Sequence, residues 1–265
     1  MQWQLIEPRN IPYVKGKLDL ATIEYLWRII NKAKNDKLAL TNHQLAGNIN
    51  ESYTVIDEDD FFFDNIILDV ASRYYYDYFG NTYDQVNLHP VADVETKGLC
   101  LKDFWVNFQR KHEFNPIHNH SGLFSFVIWL KIPFEGKDQL KLPISQNSNA
   151  PLSSCFQFNY ANLLGQSTDE KYVLGKEDEG TILLFPSQLR HQVYPFYDCE
   201  EERVSMSGNI FLTPNPKKES FIDHGIHDVY THGENSVELK GKRLEALGDQ
   251  IENLLESRGG HGVIC

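Results

Sequence analysis

The sequence predicts a mainly β protein with helical flanks, and three observations predict it. Residues 104–109, 123–132, 154–160, 180–185, 191–196 and 203–212 are short runs rich in β-branched and aromatic side chains. Turn chemistry separates them, including Asn115-Pro116, Ser121-Gly122, Pro186-Ser187 and residues 147–151, 177–180 and 198–202. Outside that block the apolar spacing becomes helical. Many short, closely spaced strands suggest a sandwich, barrel or jelly roll.

The flanks follow from periodicity. Residues 19–34 carry Ile23, Leu26, Ile29 and Ile30 on one helical face, and the aromatic-rich stretch 61–79 is of similar kind. Residues 1–100 therefore read as a helical layer against a sheet, with their aromatics in the core. Residues 104–213 form the β core, and 217–265 a C-terminal extension, within one domain spanning 1–265. In that extension Leu244, Leu247, Ile251 and Leu254 step by 3, 4 and 3, which predicts a helix over 236–257 with a tail after it. Docking on the body of the same chain is the expected use of its apolar stripe, with a homodimer seam the alternative.

Composition bounds the function. Lys and Arg total 25 against 37 Asp and Glu, a net charge of -12, which opposes long-range attraction to nucleic acid or an anionic membrane. An apolar fraction of 41% is that of an ordinary globular protein. No apolar run approaches bilayer-spanning length, and no secretory signal opens the chain. Cys100, Cys155, Cys199 and Cys265 are scattered without a C-x-x-C pair, which fits reduced thiols in a cytoplasmic protein.

Two neighbourhoods carry chemistry. In Asn115-Pro-Ile-His118-Asn-His120-Ser-Gly, the histidines two apart in extended chain can converge on one ion. In the second, Gly180 to His191, a strand ends at Pro186-Ser187 and delivers His191 at the start of the next. Histidines from two remote strands meeting at a barrel mouth leave open coordination positions, which suits a catalytic iron held by His118, His120 and His191.

Arg203 lies twelve residues after His191, across a hairpin through 198–202, which would place the two on adjacent antiparallel strands. At about 3.3 Å per residue, that separation suits a five-carbon diacid chelating the metal at one end and meeting the guanidinium at the other. The competing reading pairs Arg203 with Glu200, Glu201 or Glu202. The strand's alternation favours the first: Val204, Met206, Ile210 and Leu212 make one face, and Arg203, Ser205, Ser207 and Asn209 make a polar face that can line a lumen.

These residues together resemble a known family. W-V-N at 105–107, N-P-x-H-x-H-x-G at 115–122, the strand after it, and G-x-x-x-L-F-P-S-x-x-x-H…R-x-S over 180–205 are similar to the 2OG-Fe(II) oxygenases of bacteria and phages. The resemblance covers about 104–212. It implies a double-stranded β-helix, a jelly roll, with Fe(II) at its mouth and with 2-oxoglutarate and O₂ as co-substrates. It implies decarboxylation to succinate coupled to hydroxylation of a C–H bond. It makes His118 and His191 metal ligands and Arg203 the anchor of the distal carboxylate, with Ser205 assisting and Asn107 facing the co-substrate.

The sequence departs from the superfamily's H-x-D or H-x-E by placing His120 at the carboxylate position. Three neutral histidines leave a ferrous site at +2 rather than +1. His120 is then the third ligand, or it adjoins the site while a distant carboxylate completes it. Two other readings compete: a cupin-type metalloenzyme without 2-oxoglutarate, and a non-enzymatic jelly-roll binding module. His224, His227 and His232 form a second cluster in a polar segment and read as a solvated loop. The primary substrate, a peptide or protein side chain or a small metabolite, carries no code in the sequence.

Overall fold

The computed structural model describes residues 3–4, 12–41, 46–75 and 98–213. The predicted C-terminal helix and the His224–His232 cluster lie outside them. Two compact units are formed, Met1–Ile56 with Asp103–Asn209, and Asp57–Lys102 with Ile210–Cys265. In the second, a π-helical turn Phe63–Ile67 leads into α2, Leu68–Tyr75, with Phe63, Ile67, Ala71 and Tyr74 buried.

The first unit carries both histidine neighbourhoods. Its helix α1, Leu20–Lys34, starts where the Asp19 carboxylate accepts from the Thr22 N–H at 2.7 Å, an N-cap that satisfies one orphan donor of the first turn. Tyr25, Leu26, Ile29, Ile30 and Ala33 form its buried face, as the spacing predicts.

Among the described residues, ten strands make two antiparallel sheets. They are β1 Val14–Lys17, β2 Ser52–Thr54, β3 Gly98–Gln109, β4 Asn115–His118, β5 Phe124–Lys131, β6 Cys155–Ala161, β7 Ser167–Val173, β8 Thr181–Pro186, β9 Arg190–Val193 and β10 Arg203–Thr213. One sheet runs β1-β8-β5-β10-β3-β2 and the other β4-β9-β6-β7. From β3 onward the strands follow jelly-roll order: β3, β5, β8 and β10 lie in the large sheet and β4, β6, β7 and β9 in the small one. The core sits between the sheets: Val127, Trp129, Leu183 and Phe185 from the large sheet meet Phe156 and Phe158 from the small one. Each such buried side chain contributes about 1.5–3 kcal/mol of apolar transfer.

Two expectations are corrected here. His191 and Arg203 are not on adjacent strands: β9 pairs with β4 and β6, whereas β10 lies between β5 and β3 in the other sheet. The connection 194–202 crosses between sheets, as successive strands do in a jelly roll. The first hundred residues also contribute β1 and β2 to the large sheet in addition to helices.

Candidate metal centre

Three elements bring the histidines together. β4 pairs with β9 at Asn115↔Val193 and His118↔His191, so three steps on one strand oppose two on the other. That bulge re-aims the end of β4 and sets His118 beside His191, ring centroids 4.3 Å apart. Pro116 is tolerated because β4 is an edge strand and needs no N–H there. The chain then turns back: the His120 N–H donates to the Ser187 carbonyl at 2.9 Å, and Gln188 bonds both the His120 carbonyl and Asn119. Gly122 takes φ 95, which suits glycine, before β5 begins.

One nitrogen from each ring of His118, His120 and His191 lies within 4.8 Å of the others, and the Nε2 atoms of His120 and His191 are 3.1 Å apart. No carboxylate among the described residues joins them. His118 Nδ1 lies 2.7 Å from the Pro116 carbonyl and His191 Nδ1 2.9 Å from the Leu189 carbonyl. A carbonyl only accepts, so each Nδ1 carries the proton and each Nε2 keeps a lone pair free for a cation. Burial holds all three imidazoles neutral. It lowers His118, brings His120 down to about 4 with help from His118, and takes His191 well below its usual range. Two lone pairs facing each other at this distance repel unless a proton or a metal lies between them.

The walls are aromatic. Phe185, Phe156 and Phe158 stand 5.0, 5.6 and 6.2 Å from the His191 ring, and Trp105 stands 5.6 Å from His120. Trp105 is thus a member of the site that the sequence marks only as part of a motif.

Arg203 is 1% exposed, and its partners are residues other than the three histidines. Its Nε and Nη2 donate to the Gln109 amide oxygen at 3.1 and 2.6 Å, its Nη1 to the Ser154 carbonyl at 2.8 Å, and its Nη2 also to the Tyr194 carbonyl at 3.3 Å. The three glutamates of the preceding turn are engaged elsewhere: Glu200 with Lys111, Glu201 with Lys131 and Glu202 with Arg110. The guanidinium therefore has no carboxylate partner among the described residues, and burial lowers it to about 10. Phe134 and Phe196 rings flank it at 6.0 and 5.7 Å.

On β10, Arg203 and Asn209 are buried together with Val204, Met206 and Ile210, whereas Ser205 and Ser207 are half-buried. Asn209 accepts from the Ser125 hydroxyl at 2.8 Å and donates to Asp103 at 3.0 Å. β10 and β3 are neighbours in the large sheet. Asn107 accepts from the Ser52 hydroxyl at 2.5 Å, which leaves its amide NH₂ unengaged among the described residues.

Residues 103–209 match the model of a family described as "Putative 2OG-Fe(II) oxygenase". No curated protein matches the chain. Among solved structures, a 2OG-Fe(II) oxygenase family oxidoreductase from Burkholderia pseudomallei is 17% identical, covers 59% of this chain and 54% of its own, and has TM-score 0.34. A prolyl-4-hydroxylase from Pseudomonas putida is 13% identical over 74% of this chain and 90% of its own, TM-score 0.42. The non-heme alpha ketoglutarate dependent epimerase SnoN from nogalamycin biosynthesis is 10% identical over 84% of each chain, TM-score 0.40. The fold assignment rests on the strand order itself. The family match implies Fe(II), 2-oxoglutarate and O₂, and the three neutral imidazoles fit a divalent iron.

Proposed function

With residues 103–209 matching that oxygenase family, we propose that the chain is a non-haem Fe(II)- and 2-oxoglutarate-dependent oxygenase. It hydroxylates a C–H bond of a peptide or protein side chain or of a small metabolite, and releases succinate. The observation that carries this reading is the cluster of three neutral imidazoles whose ligand atoms lie within 4.8 Å of one another. Bound iron supplies the oxidation of the C–H bond coupled to loss of CO₂ from 2-oxoglutarate.

The chain's own residues do the rest. His118, His120 and His191 hold the metal, and the Pro116 and Leu189 carbonyls fix the orientation of two of them. Arg203 binds the remote carboxylate of the co-substrate, flanked by Ser205 and Asn107. Phe156, Phe158 and Phe185 exclude water from one side. The compartment we assign is the cytoplasm, consistent with Cys100, Cys155 and Cys199 forming no disulfide among the described residues. No helix of the described residues is long and apolar enough to cross a membrane.

The test is an anaerobic titration of the Fe(II)-loaded protein with 2-oxoglutarate, followed in the visible range. A weak charge-transfer band saturating near one equivalent is expected. In the same assay His191→Ala should lose iron retention, while Arg203→Ala should keep iron and bind 2-oxoglutarate about tenfold or more weakly. Equal loss of iron in both variants would sink this division of roles. Iron bound with no band would favour the cupin-type enzyme, and no iron retained would favour a binding module.

A further inference from the structure

The three imidazoles are not held alike. His118 and His191 each turn Nδ1 toward the carbonyl two residues earlier, Pro116 at 2.7 Å and Leu189 at 2.9 Å. Such a bond orients the ring and strengthens its other nitrogen as a metal donor. His120 has no equivalent. Among the described residues, the one polar contact of its ring is Nε2 with His191 Nε2.

His120 is anchored through its main chain instead. Its N–H donates to the Ser187 carbonyl at 2.9 Å, and its carbonyl accepts from the Gln188 amide at 3.2 Å. These bonds fix the backbone and leave both side-chain torsions to packing. Three rings pack against the imidazole: His118 at 5.0 Å, His191 at 4.9 Å and Trp105 at 5.6 Å, the last inclined by 49°. Two of these are candidate ligands themselves. Trp105 is the neighbour that stands outside the cluster.

Trp105 has a firm base. It lies on β3, an interior strand between β2 and β10, with Thr54 opposite it on β2. Phe104 and Val106 on either side of it are buried, and Phe104 meets Phe126 edge-on at 5.7 Å. A rigid bicyclic side chain on such a strand is a fixed stop for whatever ring leans on it.

We propose that Trp105 is the positioning residue of His120, doing by ring packing what the Pro116 and Leu189 carbonyls do for the other two imidazoles. The inference rests on the reading of the three histidines as a metal centre. Packing excludes wrong rotamers and adds nothing to the basicity of the nitrogen, so His120 is the weakest of the three ligands and the first to detach. The residue that replaces the superfamily's usual carboxylate is thus also the one with a different kind of support.

The experiment titrates the full chain with Co(II), a divalent stand-in for iron, with no 2-oxoglutarate present. It reads affinity, the visible spectrum of the bound ion, and the proton NMR signals that the ion shifts away from the rest. In the wild type three shifted imidazole N–H signals are expected, two persistent in water and one, from His120, exchanging faster. Trp105→Ala should bind Co(II) about tenfold or more weakly, lose the fast-exchanging signal and take on the visible spectrum of His120→Ala. Trp105→Phe keeps a ring there and should recover both. In a His120→Ala background, Trp105→Ala should cost nothing further. The same cost in that background, or a wild-type spectrum in Trp105→Ala, overturns the proposal. Melting without metal reports whether Trp105→Ala folds; Trp105→Leu carries the same test if it does not. A wild type that takes up no Co(II) removes the metal centre and the proposal together. The expected cycle in a protein that gives no charge-transfer band with 2-oxoglutarate leaves the Trp105–His120 pair standing while the co-substrate reading falls.

Discussion

At the scale of single residues, the site is a set of groups kept in the charge state their chemistry needs. Neutral histidines bind metals; protonated ones do not. Burial lowers His118, His120 and His191 together, His120 to about 4. An unfolded chain takes up protons at these positions near their ordinary value, about 6.5, whereas the folded chain resists to lower pH, at His120 until about 4. The stability they contribute is therefore complete above the unfolded value and is lost as pH falls through that window. The melting temperature of metal-free protein should decline between about pH 6.5 and 4, and His120→Gln should make the decline shallower. A profile equally steep in that variant would remove His120 from the titration. Arg203 is the opposite case, a cation held charged in a dry place. From sequence, the parity of β10 sets Arg203 on the polar face with Ser205, Ser207 and Asn209. Gln109 and Ser154 stay hidden at that level, because one contributes through a side chain two residues past the motif and the other through a carbonyl.

At the scale of elements, close packing decides what each strand tolerates. A Cβ on Gly208 would meet Phe126 ring atoms at 2.5 and 2.7 Å and the Asp103 carbonyl at 2.9 Å. Gly16 on β1 would meet only Ile182 Cγ2, at 3.3 Å. Gly208→Ala should therefore cost about 1–3 kcal/mol in urea unfolding, and Gly16→Ala clearly less. Similar losses at both sites would show that the β10–Phe126 contact yields. The same physics separates what the sequence shows from what it hides. α1 is legible because its buried stripe has the right period and Asp19 caps it. β5 is legible because it is buried from Phe124 to Leu130. β7, Ser-Thr-Asp-Glu-Lys-Tyr-Val, escapes notice because an edge strand exposed over most of its length carries no apolar alternation. β1 and β2 are too short to show a period. β4 reads as a loop because a proline inside four residues looks like a turn until its edge position is known.

At the scale of the whole molecule, surface charge works against the ligand that the lumen attracts. The chain carries a net charge of -12, and 2-oxoglutarate is a dianion. Screening length falls from about 30 Å to about 10 Å between 0.01 M and 0.1 M salt. Buried Arg203 is screened little, so added salt mainly removes the surface repulsion. Affinity for 2-oxoglutarate should then tighten on going from low to moderate ionic strength, as two calorimetric titrations would read. Weaker binding in salt would mean that the local field of the site outweighs the acidic surface. The strand order is legible only as a class, since spacing suggests a jelly roll but not which sheet each strand joins. Hence β9 and β10, consecutive in sequence and spaced as a hairpin would be, instead lie in different sheets.

The bulge between Asn115 and His118 has a mechanical consequence. β4 is an edge strand joined to β9 by its two register pairs, while β9 is an interior strand gripped on both sides. Two of the three candidate ligands belong to the edge segment and its turn, and the third to the interior. An ion seated among them is therefore also a rivet. It would fasten a weakly held sheet margin to the body of the protein, so that losing the ion would loosen the margin before it unfolded anything else.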